Sequence, residues 1–155
     1  MTITIRTVQL TDYEDLAELM QELGYPTTPS DLENRFKLLQ DHEDYETLVA
    51  VKDGCVIAFA GLCKAYAFEF TGMYVRLLAF VVSSKQRNQG VGKLLLEACE
   101  EWAIGKGAAA IALNSGNREE RQAAHGLYKK NGYLAKSIGF SKKLESFESF
   151  ELNKF

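Results

Sequence analysis

The sequence predicts a single-domain protein of mixed α/β class, and three observations carry that expectation. Segments rich in β-branched and aromatic residues, bounded by turn residues, read as strands. Amphipathic stretches at helical spacing lie before and after them. Beyond Ser83 the pattern switches from neighbouring strands to alternating helix and strand. The chain has 155 residues, 46% hydrophobic and 25% charged, the balance of an ordinary globular domain. That length can bury a core without a disulfide or a metal. One domain is expected over residues 1–144, with a tail of unassigned role over 145–155.

The elements follow in order. Thr2 to Arg6 alternates β-branched residues and reads as a strand. Thr11 with Glu14 reads as a capping box, followed by Leu16, Leu19, Met20 and Leu23 at helical spacing, with Gly24 and Pro26 as the stop. Ser30 with Glu33 reads as a second box, opening a helix through Leu32, Phe36 and Leu39. Thr47–Lys52 and Cys55–Lys64 flank Asp53-Gly54, a hairpin turn signal. Thr71-Gly72 marks another turn, and Met73 to Ser83 is a long apolar strand of the kind covered on both faces. A polar loop, Ser84 to Gly92, leads into an amphipathic helix over Lys93–Ile104 with Leu95, Cys99 and Trp102 on one side. Ala109–Leu113 reads as a short buried strand, Arg118–Asn131 as a helix stopped by Gly132, and Leu134–Phe140 and Lys142–Leu144 as terminal strands.

Charge and composition exclude some function classes. A net charge of −3 and a sequence pI near 5.5 argue against a dedicated nucleic-acid binder. The most apolar run, Tyr74 to Val82, is too short to span a bilayer. The N-terminus lacks the pattern of a signal peptide, so a cytoplasmic location is expected. The three cysteines, Cys55, Cys63 and Cys99, form neither a disulfide framework nor a CxxC pair. They read as reduced core residues, and no metal site is expected.

The chemistry lies in Arg87-Asn88-Gln89-Gly90-Val91-Gly92, between a buried strand and a helix. Such a loop aims backbone N–H groups at one point, where the helix dipole adds positive character. Gly90 and Gly92 leave room for close approach, and Lys85, Arg87 and Lys93 add cationic charge. These features suit a pyrophosphate. No Gly-Lys-Ser/Thr follows, so this is not a Walker loop. The third glycine of the dinucleotide fingerprint is also missing. Glycine spacing alone fits a tight packing turn equally well.

Together with its surroundings, this segment resembles the cofactor motif of the GNAT superfamily of acetyl-CoA-dependent N-acetyltransferases, Arg/Gln-x-x-Gly-x-Gly/Ala after a long apolar strand. Arg87, Gly90 and Gly92 match it. The block from Ala124-His125-Gly126-Leu127-Tyr128 to Gly132-Tyr133 matches a second family pattern. The likeness runs from about residue 3 to 144 and includes the order of the elements. It implies the family's fold, a central, mostly antiparallel sheet with splayed middle strands flanked by helices. It implies that Arg87, Asn88, Gln89, Gly90, Val91, Gly92 and Lys93 hold the cofactor pyrophosphate. It implies that the backbone of Phe80, Val81 and Val82 pairs with the pantetheine arm, and that Tyr128 is the acid that protonates the leaving CoA thiolate.

The sequence also departs from the family. The strand position where many members carry a glutamate base holds Leu77, Leu78 and Ala79. Glu69 is the carboxylate candidate in its place, beside Tyr74 or a water chain. Where the family often has asparagine this chain has Arg121, which can reach a cofactor phosphate or a substrate carboxylate; Arg118 shares that helix half. His125 reads as a packed or hydrogen-bonded residue.

The expected activity is transfer of the acetyl group of acetyl-CoA directly to a primary amine of a small molecule. Segments Tyr25 to Arg35 and Tyr66 to Tyr74, with the terminal strands, would line the acceptor pocket. Tyr66, Phe68, Phe70 and Tyr74 would suit an apolar or cationic body. A homodimer is expected, with the tail packing on a neighbouring subunit. The competing readings are a protein or peptide N-acetyltransferase, a non-catalytic acyl-CoA-binding module and a nucleotide-binding regulatory domain.

Overall fold

Five strands form one sheet in chain order: β1 (Thr4–Thr7), β2 (Tyr45–Lys52), β3 (Cys55–Tyr66), β4 (Met73–Val82) and β5 (Ile111–Leu113). The first four pair antiparallel and β5 pairs parallel to β4. The computed structural model describes residues 2–115 and 121–144. They fall in two compact units, Met1–Leu113 and Asn114–Phe155. The sheet belongs to the first unit, with helices α1 (Tyr13–Leu23), α2 (Pro29–Leu39) and α3 (Val91–Gly105). The second unit holds α4 (Gln122–Lys130). No helix among the described residues is long and apolar enough to cross a membrane.

Local chemistry explains most boundaries. The β2–β3 hairpin turns at Asp53 (φ 51°) and Gly54 (φ 77°), the paired left-handed residues that match strand twist. Gly24 (φ 104°) closes α1 in the left-handed region. The helix starts differ from the capping boxes read at Thr11 and Ser30. Thr28 caps α2, its hydroxyl accepting from the Asp31 amide (3.1 Å), and Pro29 takes the first helical position. Ahead of α1, a single 3-10 turn (Leu10–Asp12) intervenes. Asp12 there accepts two hydrogen bonds from Arg6 (2.8 and 2.9 Å) and one from the Gln9 amide (2.7 Å). Asp12 is buried, and the bidentate guanidinium holds its carboxyl below the usual carboxylate range.

One core lies between the sheet and α1 with α2, built from Tyr13, Leu16, Leu19, Leu32, Phe36, Val49, Val56, Phe59 and Val81. Tyr13 and Phe36 bring the two helices together, ring centroids 5.5 Å apart. Leu95, Leu96 and Cys99 of α3 are fully buried as well.

Several expectations are corrected. Residues 133–144 contain no strand, although the sequence predicts Leu134–Phe140 and Lys142–Leu144 as terminal strands. A strand needs a neighbour to complete its ladder, and none of the described residues supplies one there. β5 is shorter than Ala109–Leu113 and only half-buried. β4 is not covered on both faces throughout, because Leu78 is 55% exposed. Of the three cysteines only Cys99 is a core residue; Cys55 is exposed, Cys63 half-buried, and all are free thiols. Burial pushes the Cys99 thiol up to about 12. The start of the helix read at Arg118 and the tail 145–155 lie outside the described residues.

Candidate active site

The site is built on β4. Its pairing to β5 covers only Val75, Arg76 and Leu77, opposite Ile111, Ala112 and Leu113. Past Leu77 the strand continues to Val82 without that ladder, while its other edge stays paired to β3. The separation coincides with a β-bulge. Leu62 opposes Leu77 and Gly61 opposes Ala79, so Leu78 is the extra residue. A bulge bends its strand and raises the local twist, and β5 ends at Leu113, so among the described residues the second half of β4 has no strand paired on that edge.

β4 then feeds the loop that leads into α3. Ser83 begins a 3-10 turn (Ser84–Gln86), its hydroxyl accepting from the Lys85 amide (3.4 Å). Asn88 (φ 64°) and Gly90 (φ 79°) both adopt left-handed backbone, which folds successive amides toward one side. The first helical hydrogen bond of α3 runs from the Leu94 amide to the Gly90 carbonyl (3.1 Å). The amides of Val91, Gly92 and Lys93 precede it and need an acceptor from outside the helix. A Cβ added at Gly90 would meet nothing within 4 Å, so the space above the loop is open. Arg87, Asn88 and Gln89 are exposed around it, while Val91 turns into the core. A helix N-terminus whose first amides lack helical acceptors, room at Gly90 and the cations Lys85 and Arg87 fit a diphosphate.

Two long-range contacts hold the loop. The Lys52 ammonium at the end of β2 donates to Gln86 Oε1 (3.2 Å) and Gln89 Oε1 (3.1 Å). Glu22 near the end of α1 accepts from the Ser84 amide (3.0 Å) and from the Ser84 hydroxyl. Neither residue is marked in the sequence, because each meets its partners across the fold. A cavity of about 440 Å³ lies beside this anchor, lined by Asp15, Glu18, Glu22, Val56, Ser83 and Lys85 among others. Its three carboxylates disfavour a diphosphate, so it is a feature separate from the open loop.

The remaining residues named from sequence sit as follows. Phe80 and Val81 are buried and Val82 half-buried. Glu69 is exposed on the β3–β4 connection, its carboxylate accepting from the Phe68 amide (3.1 Å). In the second unit Tyr128 is buried on α4, its ring 5.9 Å from that of Tyr133. Arg121 is half-buried just before α4. His125 is hydrogen-bonded, Nε2 to Ser115 Oγ (3.1 Å).

The family model described as acetyltransferase (GNAT) matches residues 11–133. An uncharacterized N-acetyltransferase, YhdJ of Bacillus subtilis (strain 168), is 27% identical over 142 residues, covering 89% of this chain and 98% of that protein. The crystal structure of a GNAT family acetyltransferase from Staphylococcus aureus subsp. aureus USA300_TCH1516 is 37% identical with a TM-score of 0.80, covering 93% of this chain and 100% of that one. Glucosamine-6-phosphate N-acetyltransferase from Arabidopsis thaliana, 22% identical, has the same fold at a TM-score of 0.78, covering 94% and 100%.

Proposed function

The chain belongs to the GNAT family of acetyltransferases and is an acyltransferase, and from that premise we propose that it moves the acetyl group of acetyl-CoA directly onto the primary amine of a small molecule in the cytoplasm. The observation that carries this reading is the course of β4, whose edge is unpaired by β5 past Leu77 and which runs into a loop with left-handed backbone at Asn88 and Gly90. In this reading the amides from Arg87 to Lys93 grip the diphosphate, and the β4 backbone at Phe80 to Val82 receives the pantetheine arm like an added strand. The thioester supplies the activated acetyl carbon, and no covalent enzyme intermediate is needed. The amine must shed one proton to attack.

Rate enhancement comes from positioning and from backbone donors near Val82 facing the developing oxyanion. Tyr128 hands its phenolic proton to the departing thiolate, and Arg121 adds positive charge for a phosphate. Glu69 is the carboxylate closest in sequence to β4, at its entry. The half-buried Tyr74 supports a small acceptor. A homodimer would cover Leu134, Ile138, Phe140 and Leu144, all exposed; light scattering decides it.

Tyr128→Phe tests the chemistry. It should lower turnover about a hundredfold while CoA still raises the melting temperature as in the wild type. Full turnover in the variant would remove Tyr128 from the mechanism. A wild-type protein that CoA does not stabilise would end the transferase reading.

A further inference from the structure

Resting on the acetyltransferase reading, we infer that Arg76 is a specificity determinant that selects amines carrying an acidic group, a carboxylate or a phosphate. Three observations meet at this residue. First, Arg76 is the sole charged residue of β4, Met-Tyr-Val-Arg-Leu-Leu-Ala-Phe-Val-Val. It is half-buried, with β3 on one side and β5 on the other. Second, its side chain has no hydrogen bond and no ion pair to any described residue. Leaving a partly desolvated guanidinium unpaired costs free energy. Its neighbours in register, Cys63 and Ala112, offer it no carboxylate. Third, its place on the sheet is the reacting end of the site.

The placement follows from register. Phe59, Gly61 and Cys63 point to one face of β3, as alternate residues of a strand do. Gly61 opposes Ala79 and Cys63 opposes Arg76. Ala79 packs against the α1–α2 core, so Arg76 rises from that same face. The two helices bury Val81 but leave Leu78 exposed and Tyr74 and Arg76 half-buried. An arm that starts at Arg87–Gly92 and follows β4 back past Val82 and Phe80 reaches Leu78. There the β5 ladder closes the gap. The acetyl carbon therefore ends near Leu78, and the Arg76 backbone is about 7 Å further along the strand. A guanidinium at that spacing can hold an acid of the acceptor by two parallel hydrogen bonds while its amine faces the thioester.

The absence of a glutamate at Leu77 to Ala79 agrees with this assignment. A carboxylate at Ala79, on the same face, would lie within reach of Arg76 and occupy it. Without one, the guanidinium is left for the substrate, and its charge favours the neutral form of a nearby amine.

The test uses acceptor pairs that differ only in the acid, amino acids against their carboxamides and a phosphorylated amino sugar against its dephosphorylated form. CoA release is followed with wild type, Arg76→Gln and Arg76→Lys. The acidic member should have a kcat/KM about ten- to a hundredfold higher, carried in KM. Arg76→Gln should erase that ratio and Arg76→Lys restore part of it, with CoA stabilisation equal in all three proteins. If CoA fails to bind the wild type, the acetyltransferase reading fails by itself. If CoA binds and the acidic members have no advantage, or keep it in Arg76→Gln, the assignment of Arg76 is overturned. Should no pair be turned over, the same compounds are titrated onto the CoA complex and melting temperatures compared. Equal response to both members of every pair overturns it then too.

Discussion

The two halves of β4 are built for different tasks. From Ala79 to Val82 the strand is packed beneath α1 and α2 and continues into a loop pinned by Glu22 and Lys52. From Tyr74 to Leu78 the same face is partly open, and it carries a bulge and an arginine whose side chain pairs with none of the described residues. In the proposed reading, the packed half would offer backbone to the cofactor and the open half would offer side chains to the acceptor, a division that suits one fold to many acceptors.

The largest expected effect tests what the packed half rests on. Asp12 ties β1 to the start of α1, and Asp12→Ala should cost about 2–3 kcal/mol, read by denaturant unfolding, because Arg6 loses a bidentate partner. Its carboxyl lies below the usual range in the folded protein. Its contribution is therefore complete above about pH 4 and lost as pH falls through the lower, folded value. Asp12→Asn should flatten the acid side of the stability profile.

Next in size is the packing contrast itself. Val81→Ala removes two methyl groups from a site 7% exposed and should cost about 2 kcal/mol, whereas Leu78→Ala, at 55% exposed, should cost under about 0.5 kcal/mol. Equal costs would dissolve the distinction between the halves. Gly90→Ala puts a side chain at φ 79°, at about 1 kcal/mol of stability. CoA affinity should fall about tenfold, since its Cβ enters the open space above the loop; calorimetric titration reads this. The smallest effect is expected of Lys52→Ala. Freed from Gln86 and Gln89, the loop should bind CoA about threefold more weakly with little change in melting temperature.

Much of the scaffold was legible in the sequence. Asp53-Gly54 announced its hairpin, the apolar run after Gly72 announced β4, and the polar segment up to Gly90 announced the loop that leads into α3. Such signals are local, set by side-chain period and by which residues tolerate left-handed backbone. The strands read at Leu134–Phe140 and Lys142–Leu144 show where local signals stop. Alternation marks two faces, but a strand exists only where a neighbour completes its hydrogen bonds. Cys55 and Cys63 failed as core residues for a similar reason, since apolar neighbours in sequence do not decide what covers a side chain, at the end of β3 for Cys55 or on its partly open face for Cys63.

By itself, then, the amino-acid order determined the family and the class of fold, because both are written in short-range patterns. Only the tertiary structure decided that the β5 ladder ends at Leu77, that Glu22 and Lys52 brace the loop, and that no carboxylate among the described residues pairs with Arg76. Register and partnership depend on residues tens of positions apart, and no local pattern encodes which of them will meet.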